Sequence, residues 1–184
     1  WVERGYTPVR IAVNFSAPEL HERGLATRVI ELVHHSGIAP PWFKLEVTET
    51  ATVKNFDQVA RTLGKIRASG IQIAVDDFGT GYSTLSYLQK LPVDIIKIDQ
   101  QFIKDIPYSS EDKTLVKAVI AMAHNLGLDV VAEGVETEAQ AQFLRRHLCE
   151  ELQGYLFSKP LRAEEFEQLI ALQVSEIEEE LTLF

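Results

Sequence analysis

The chain has 184 residues, 46% of them hydrophobic and 24% charged, an ordinary balance for a globular domain long enough to bury a real core. A formal net charge of −9 argues against broad binding to nucleic acid or anionic membrane, so DNA is not an expected partner. The single Cys149 excludes an internal disulfide and points to a reducing, cytoplasmic setting, and no apolar run approaches the ~20 residues a membrane span needs. The first residue is Trp1 and the only methionine is Met122, so a longer parent is expected, with any membrane anchor outside this stretch.

Val9–Asn14 reads as a strand with Arg10, Ala12 and Asn14 on one face. Ser16 is placed to cap a helix from Ala17 to about His35, which Gly37 ends. Phe43–Thr48 is a second strand, ending in Glu49. A helix from about Asn55 to Ser69 follows, on the spacing of Phe56, Val59, Ala60, Leu63 and Ile66. Past Gly70, an apolar run ends in Asp76 and Asp77, and a loop with Gly79 and Gly81 follows. Period-2 geometry puts Ala74 and Asp76 on one face, with Asp77 at the strand exit. Leu85–Lys90 is a short helix stopped by Pro92. Val93–Asp99 is a strand with Lys97 facing away from Ile96 and Ile98. Ser109 or Ser110 caps a helix to Leu126, and Leu128–Glu133 is the next strand. A helix from Glu136 to about His147, a strand Leu152–Phe157 and a helix Ala163–Leu172 complete the pattern. Residues 175–184 form an acidic, amphipathic tail that reads as a solvated helix or linker stub.

Strands alternating with helices imply βαβ units and a mostly parallel sheet. The six strands end in polar residues: Asn14, Glu46, Asp76, Lys97, Glu133 and Gln153. That is the pattern of a TIM-type (β/α)8 barrel, whose C-terminal rim carries the chemistry. A doubly wound sheet is the rival, but its crevice would not recruit a polar end from every strand. Eight strands are required and six are present, so the barrel is expected to be incomplete at its N-terminus. Residues 1–174 then form one partial domain and 175–184 its tail.

Asn14, Glu46, Asp76 and Asp77 make an all-oxygen set that suits Mg2+ or Mn2+ and disfavours zinc. Taken alone, the Asp pair is a strand end with an Asx-type cap. Lys97 is placed to hold a water or phosphate oxygen, to pair with Glu46, or to form a Schiff base. Glu133 is a further ligand or a general base. Glu136 is a functional acid or a helix N-terminal acid favoured by the dipole. Two metals plus a base describe phosphodiester hydrolysis. The five histidines are scattered and receive no catalytic role.

The runs AVNFSAPEL, LEVTET, IAVDDFGTGYSTLSYLQKLPVDIIKIDQQFI, VVAEGVETEAQ and LQGYLFSKPL resemble the EAL domain of bacterial cyclic di-GMP phosphodiesterases, from about Arg10 to Ile170. The resemblance implies a TIM-like barrel that cleaves cyclic di-GMP to linear pGpG with Mg2+ or Mn2+, as two ions. It makes Asn14, Glu46, Asp76 and Asp77 metal ligands, Lys97 the residue that orients the attacking water, and Glu133 a ligand or base. Gln153 and Glu136 become active-site rim residues. Glu49 steadies the loop Phe78, Gly79, Thr80 and Gly81, which the family associates with dimerisation. Pro160 and Leu161 match a segment near the guanine site. A homodimer and an upstream sensory or cyclase-like domain are implied partners. The Glu-Ala-Leu signature, whose Glu is itself a ligand, is absent and is expected ahead of Trp1. A degenerate receptor or protein-interaction module is the alternative, but every downstream family position holds the expected residue type. The isolated chain, one ligand and two strands short, is expected to hydrolyse poorly.

Overall fold

The computed structural model of the chain describes residues 1–6, 8–53, 55–80 and 85–171. It divides into two compact units, one of residues 10–157 and one of residues 1–9 with 158–184. The larger unit is built on six parallel strands in sequence order: β1 (Ile11–Phe15), β2 (Phe43–Thr48), β3 (Gln72–Phe78), β4 (Ile95–Ile98), β5 (Asp129–Ala132) and β6 (Glu151–Leu152). Each connection runs through helix: α1 (Ala17–Leu20) and α2 (Leu25–His35), α3 (Glu49–Val53) and α4 (Phe56–Ala68), α5 (Leu85–Leu88), α6 (Gln100–Ile103) and α7 (Ser110–Asn125), and α8 (Glu138–Arg146).

Alternation along the strands splits the apolar residues between two faces. Ile73, Val75, Ile96, Ile98, Val130 and Ala132 face the helices. There they meet Val59, Leu63 and Ile66 of α4, Val116 and Ile120 of α7, and Leu144 of α8 in one buried cluster. The opposite face holds a small separate cluster of Ala74, Ile95 and Val131. That inner cluster is the floor on which the polar strand ends stand. The sheet is strongly curled. In a flat sheet β2 and β6, with three strands between them, would lie roughly 19 Å apart. Yet Lys44 Nζ of β2 donates to Glu151 Oε2 of β6 at 2.7 Å. Six curled parallel strands wrapped by helices make an incomplete TIM-like barrel. At its open side Ile11 and Val13 of β1 are 40% and 44% exposed.

Several boundaries differ from the sequence expectation. The helix expected over 17–35 breaks into α1 and α2 because Gly24 takes a left-handed φ of +79°. Ser16 and Glu19 form a capping box on α1. The strand expected over 152–157 is two residues long. Gln153 N–H still bonds Ala132 O at 2.8 Å, but Gly154 then packs on the Val135 backbone, where a Cβ would lie 2.2 Å from Val135 O. The helix expected from Glu136 begins at Glu138, where Thr137 and Gln140 form its capping box. The short helices α3 and α6 are additions. Both follow a strand directly and leave too few residues for an apolar period to show.

In the smaller unit the Trp1 ring lies 5.2 Å from that of Phe166, and Arg4 pairs with Glu167 at 2.6 Å. Residues 163–170 and Ala171 are helical. The tail at 175–184 lies outside the described residues. Among the described residues no helix is long and apolar enough to cross a membrane.

Candidate active site

The site is built around a bulge in β3. Val75 pairs with Ile96 and Phe78 with Ile98, so Asp76 and Asp77 together stand opposite the single residue Lys97. Two residues against one is the definition of a β-bulge, a device that re-aims side chains. Asp77 takes a left-handed φ of +55°, a conformation Asp tolerates better than most residues. Regular alternation would send adjacent aspartates to opposite faces. The bulge instead brings one oxygen of each within 4.8 Å of the other and of a Glu133 oxygen. The strand therefore runs through Asp77 to Phe78, and Asp77 does not mark its exit.

Lys97 is the hub. Its ammonium, 3% exposed, lies 2.7 Å from Glu46 Oε2, 2.8 Å from Glu133 Oε1 and 3.1 Å from Asp76 Oδ1. These partners come from β2, from the turn after β5 and from β3. Burial alone would lower the Lys97 pKa, but its hydrogen bonds to Glu133 and Glu46 outweigh that and raise it above the usual lysine value. Burial raises the Glu133 carboxyl above its ordinary range. Lys97 opposes this only in part, and the charges of Asp76 and Glu46 add to it. Asp77 is raised by burial, by the charge of Asp76 and by a hydrogen bond with Asp99.

The remaining expected residues surround this hub at different distances. Asn14 stands opposite Glu46 in the β1–β2 register, on the same rim, and is exposed. Glu49, 3% exposed at the start of α3, accepts the Gly79 N–H at 3.0 Å, which ties it to the residue after β3. Thr80 donates its backbone N–H and its hydroxyl to Asp77 O, closing a turn behind the bulge. Gly79, at φ +98°, leaves no room for a side chain, since a Cβ would lie 2.9 Å from the Phe102 ring. Phe78 packs against the main core, and Gly81 lies outside the described residues. Glu136 and Gln153 are exposed and line a cavity of about 300 Å3 together with Asp77, Glu133 and Tyr155. A second cavity, of about 200 Å3 between β1 and α2, is walled by Val13, Phe15, Val33 and Leu45 and has no carboxylate.

Two residues enter the site that the sequence reading passed over. Asp99 caps α6 by accepting the Gln101 N–H at 2.7 Å and stands beside Asp77, whose carboxyl it helps to raise. Gln100 lies against Gly134, where a Cβ would come within 2.4 Å of its own Cβ. The signal for Asp99 was present, as the acid that ends the run Ile96–Asp99. The sequence expectation ends the strand at Asp99, whereas β4 ends at Ile98 and Asp99 caps α6.

Glu46, Asp76, Asp77 and Glu133 set four carboxylates against one ammonium, leaving three negative charges when all are ionised. Oxygen donors this close fit hard divalent cations such as Mg2+ or Mn2+. The Lys97 ammonium offsets one of these charges by pairing with three of the four carboxylates.

The sequence profile of the EAL domain matches residues 1–160. The chain belongs to the EAL domain family. It is 46% identical over 166 residues to the cyclic di-GMP phosphodiesterase NbdA of Pseudomonas aeruginosa, covering 90% of this chain and 21% of NbdA. The solved structure of the MucR phosphodiesterase of the same species, a complex with c-di-GMP, superposes with a TM-score of 0.84 at 41% identity. That match covers 90% of this chain and 67% of the MucR chain. BlrP1 of Klebsiella pneumoniae, solved with manganese and the same dinucleotide, gives a TM-score of 0.75 at 36% identity, over 82% of this chain and 39% of BlrP1. The EAL chain thus spans about a fifth of the length of curated relatives such as NbdA.

Proposed function

We propose that this EAL domain hydrolyses one phosphodiester of cyclic di-GMP to give linear pGpG, within a larger signalling protein. The observation that carries the reading is the convergence of Glu46, Asp76, Asp77 and Glu133 around Lys97 at the C-terminal rim. Similarity to relatives named as cyclic di-GMP phosphodiesterases supports the substrate. Asn14, Glu46, Asp76, Asp77 and Glu133 are the proposed holders of two Mg2+ or Mn2+ ions. Bound there, such ions supply Lewis-acid polarisation of the phosphoryl oxygens and a more acidic water. Lys97 Nζ donates toward the attacking oxygen and holds Glu46 and Glu133 at fixed spacing. Glu133 Oε accepts the proton that the attacking water releases as its oxygen bonds to phosphorus, while the P–O bond to one ribose breaks and the departing ribose oxygen is protonated from solvent. Glu49 holds the Gly79 turn by accepting its N–H. Gln153 and Glu136 line the cavity where the rest of the dinucleotide lies.

Cytoplasmic placement, a homodimer formed through the loop at Phe78–Gly81, a sensory or cyclase-like domain in the parent and a domain boundary near residue 174 belong to the same reading. The short span of this chain relative to its signalling relatives supports the additional domain.

The test is chromatography of cyclic di-GMP incubated with the parent protein and Mn2+. Conversion to pGpG is expected, and Asp76→Asn should lower it on the order of a hundredfold or more by removing a ligand charge. Nucleotide binding without turnover in the unmodified parent would sink the enzymatic reading in favour of a receptor.

A further inference from the structure

The barrel interior carries two polar layers, and only the upper one holds the candidate site. In the lower layer Lys44 of β2 donates to Glu151 Oε2 of β6 at 2.7 Å, and Arg10 Nη1 reaches Oε1 of the same carboxylate at 2.5 Å. The Lys44 side chain is 6% exposed and that of Glu151 41%. Gln72, the register partner of Lys44 on β3, keeps its Oε1 buried and without a partner, so Glu151 is the acceptor that engages the ammonium.

Lys44 stands two residues before Glu46 on one strand face, and Glu151 two residues before Gln153. Their bond therefore fixes the spacing between the strand that carries Glu46 and the strand that leads to Gln153. Above it, Lys97 draws together Glu46, Asp76 and Glu133. The lower tie spans β2 to β6 and the upper one β2 to the turn after β5, so both act on the curl of the same sheet. The upper tie alone, a single ammonium, would hold that curl against the mutual repulsion of the carboxylates it gathers.

We propose that Lys44 and Glu151 are positioning residues for the site above them: their bond sets the curl that keeps Asp76, Asp77 and Glu133 within reach of a shared divalent cation. The inference rests on the metal-dependent reading of that site. Because Lys44 is buried while Glu151 is two-fifths exposed, breaking the pair also costs stability, so positioning is read from the metal affinity of the folded variants and stability separately from their melting.

The experiment is a Mn2+ titration of the full chain, with free Mn2+ followed by electron paramagnetic resonance. It compares wild type with Asp76→Asn, Lys44→Met, Glu151→Gln and Lys44→Arg, each checked by circular dichroism and thermal melting. Lys44→Met and Glu151→Gln are expected to retain a folded spectrum and bind Mn2+ on the order of three- to tenfold more weakly. Asp76→Asn should lose at least about tenfold, and Lys44→Arg, which keeps charge and reach, should restore near-native affinity. Native affinity in Glu151→Gln alongside a weakened Asp76→Asn overturns the inference and leaves the metal reading standing. A lower melting temperature with unchanged affinity also overturns it, because the pair is then structural only. Unchanged affinity in Asp76→Asn overturns the metal reading itself. Should Lys44→Met fail to fold, Glu151→Gln at its more exposed position decides the matter.

Discussion

A lysine buried to the extent of Lys97 ordinarily gives up its proton, because desolvation penalises the charged form. Here Glu46, Glu133 and Asp76 make the opposite choice cheaper, and the ammonium stays charged. The same contacts mean that Lys97→Met strands a buried Glu46 without its counter-ion. Loss of one partner of a buried pair costs about 3–5 kcal/mol. We expect a large drop in melting temperature in chelator and substantial recovery in Mn2+, read by parallel thermal scans. Cys149 sits at the other extreme of reactivity. Burial first, and then the charge of Glu150, push its thiol up to about 12. An unfolded thiol ionises near 8.5. Between about pH 9 and 12 the unfolded chain therefore loses a proton that the native chain keeps, and stability falls as pH rises. Urea midpoints across that range should fall more steeply for the native chain than for Cys149→Ala, and thiol reagents should react only after unfolding.

Helix ends and strand ends decide the local geometry, and they divide what the sequence could reveal from what it could not. Element type was legible wherever period and punctuation agreed, as in β2, α4 and α7, with Gly70 and Gly127 at φ +92° and +71° just past the two helices. The six polar strand ends were legible for the same reason, since strand alternation alone placed Glu46, Asp76 and Lys97 on one face. The bulge was not. It is a matter of pairing with β4, and nothing within β3 announces that two residues will share one partner. Asp99 was hidden differently, because the apolar run absorbs it as a strand end, whereas β4 stops at Ile98 and Asp99 caps α6. Another irregularity is open to correction. Leu148 follows α8 with a left-handed φ of +64° and is 71% exposed. It fills a position that helix C-termini usually give to glycine, and it buries little in return. Leu148→Gly should raise stability by about 1 kcal/mol, measured by urea denaturation, without altering metal affinity.

Taken whole, the chain is acidic, its candidate rim is acidic, and the substrate proposed for it is an anion. The chain carries −9 at pH 7, while cyclic di-GMP carries one negative charge on each of two phosphodiesters. Long-range attraction cannot draw such a ligand in, unlike the steering seen with basic clefts. On the proposed reading, divalent cations therefore occupy the rim before or together with the dinucleotide. At saturating Mn2+, raising NaCl from low to physiological ionic strength should leave nucleotide association unchanged or modestly faster, because screening acts on a net repulsion. A steep fall in association rate with salt, followed by stopped-flow fluorescence, would contradict this picture. The curled sheet serves the same end mechanically, since it gathers carboxylates from β2, from β3 and from the turn after β5 at one rim around Lys97.

The β3 bulge also has a meaning in terms of chain length. Against β4, one of the two aspartates is a supernumerary residue: with Asp77 excised, Val75, Asp76 and Phe78 would meet Ile96, Lys97 and Ile98 in unbroken step. The second carboxylate is thus an insertion carried inside a core strand, and it brings a left-handed backbone and a like-charged neighbour with it. A one-residue deletion there would leave a tidier barrel with half of its paired acid. The length of this strand, as much as its composition, therefore separates a scaffold from a site.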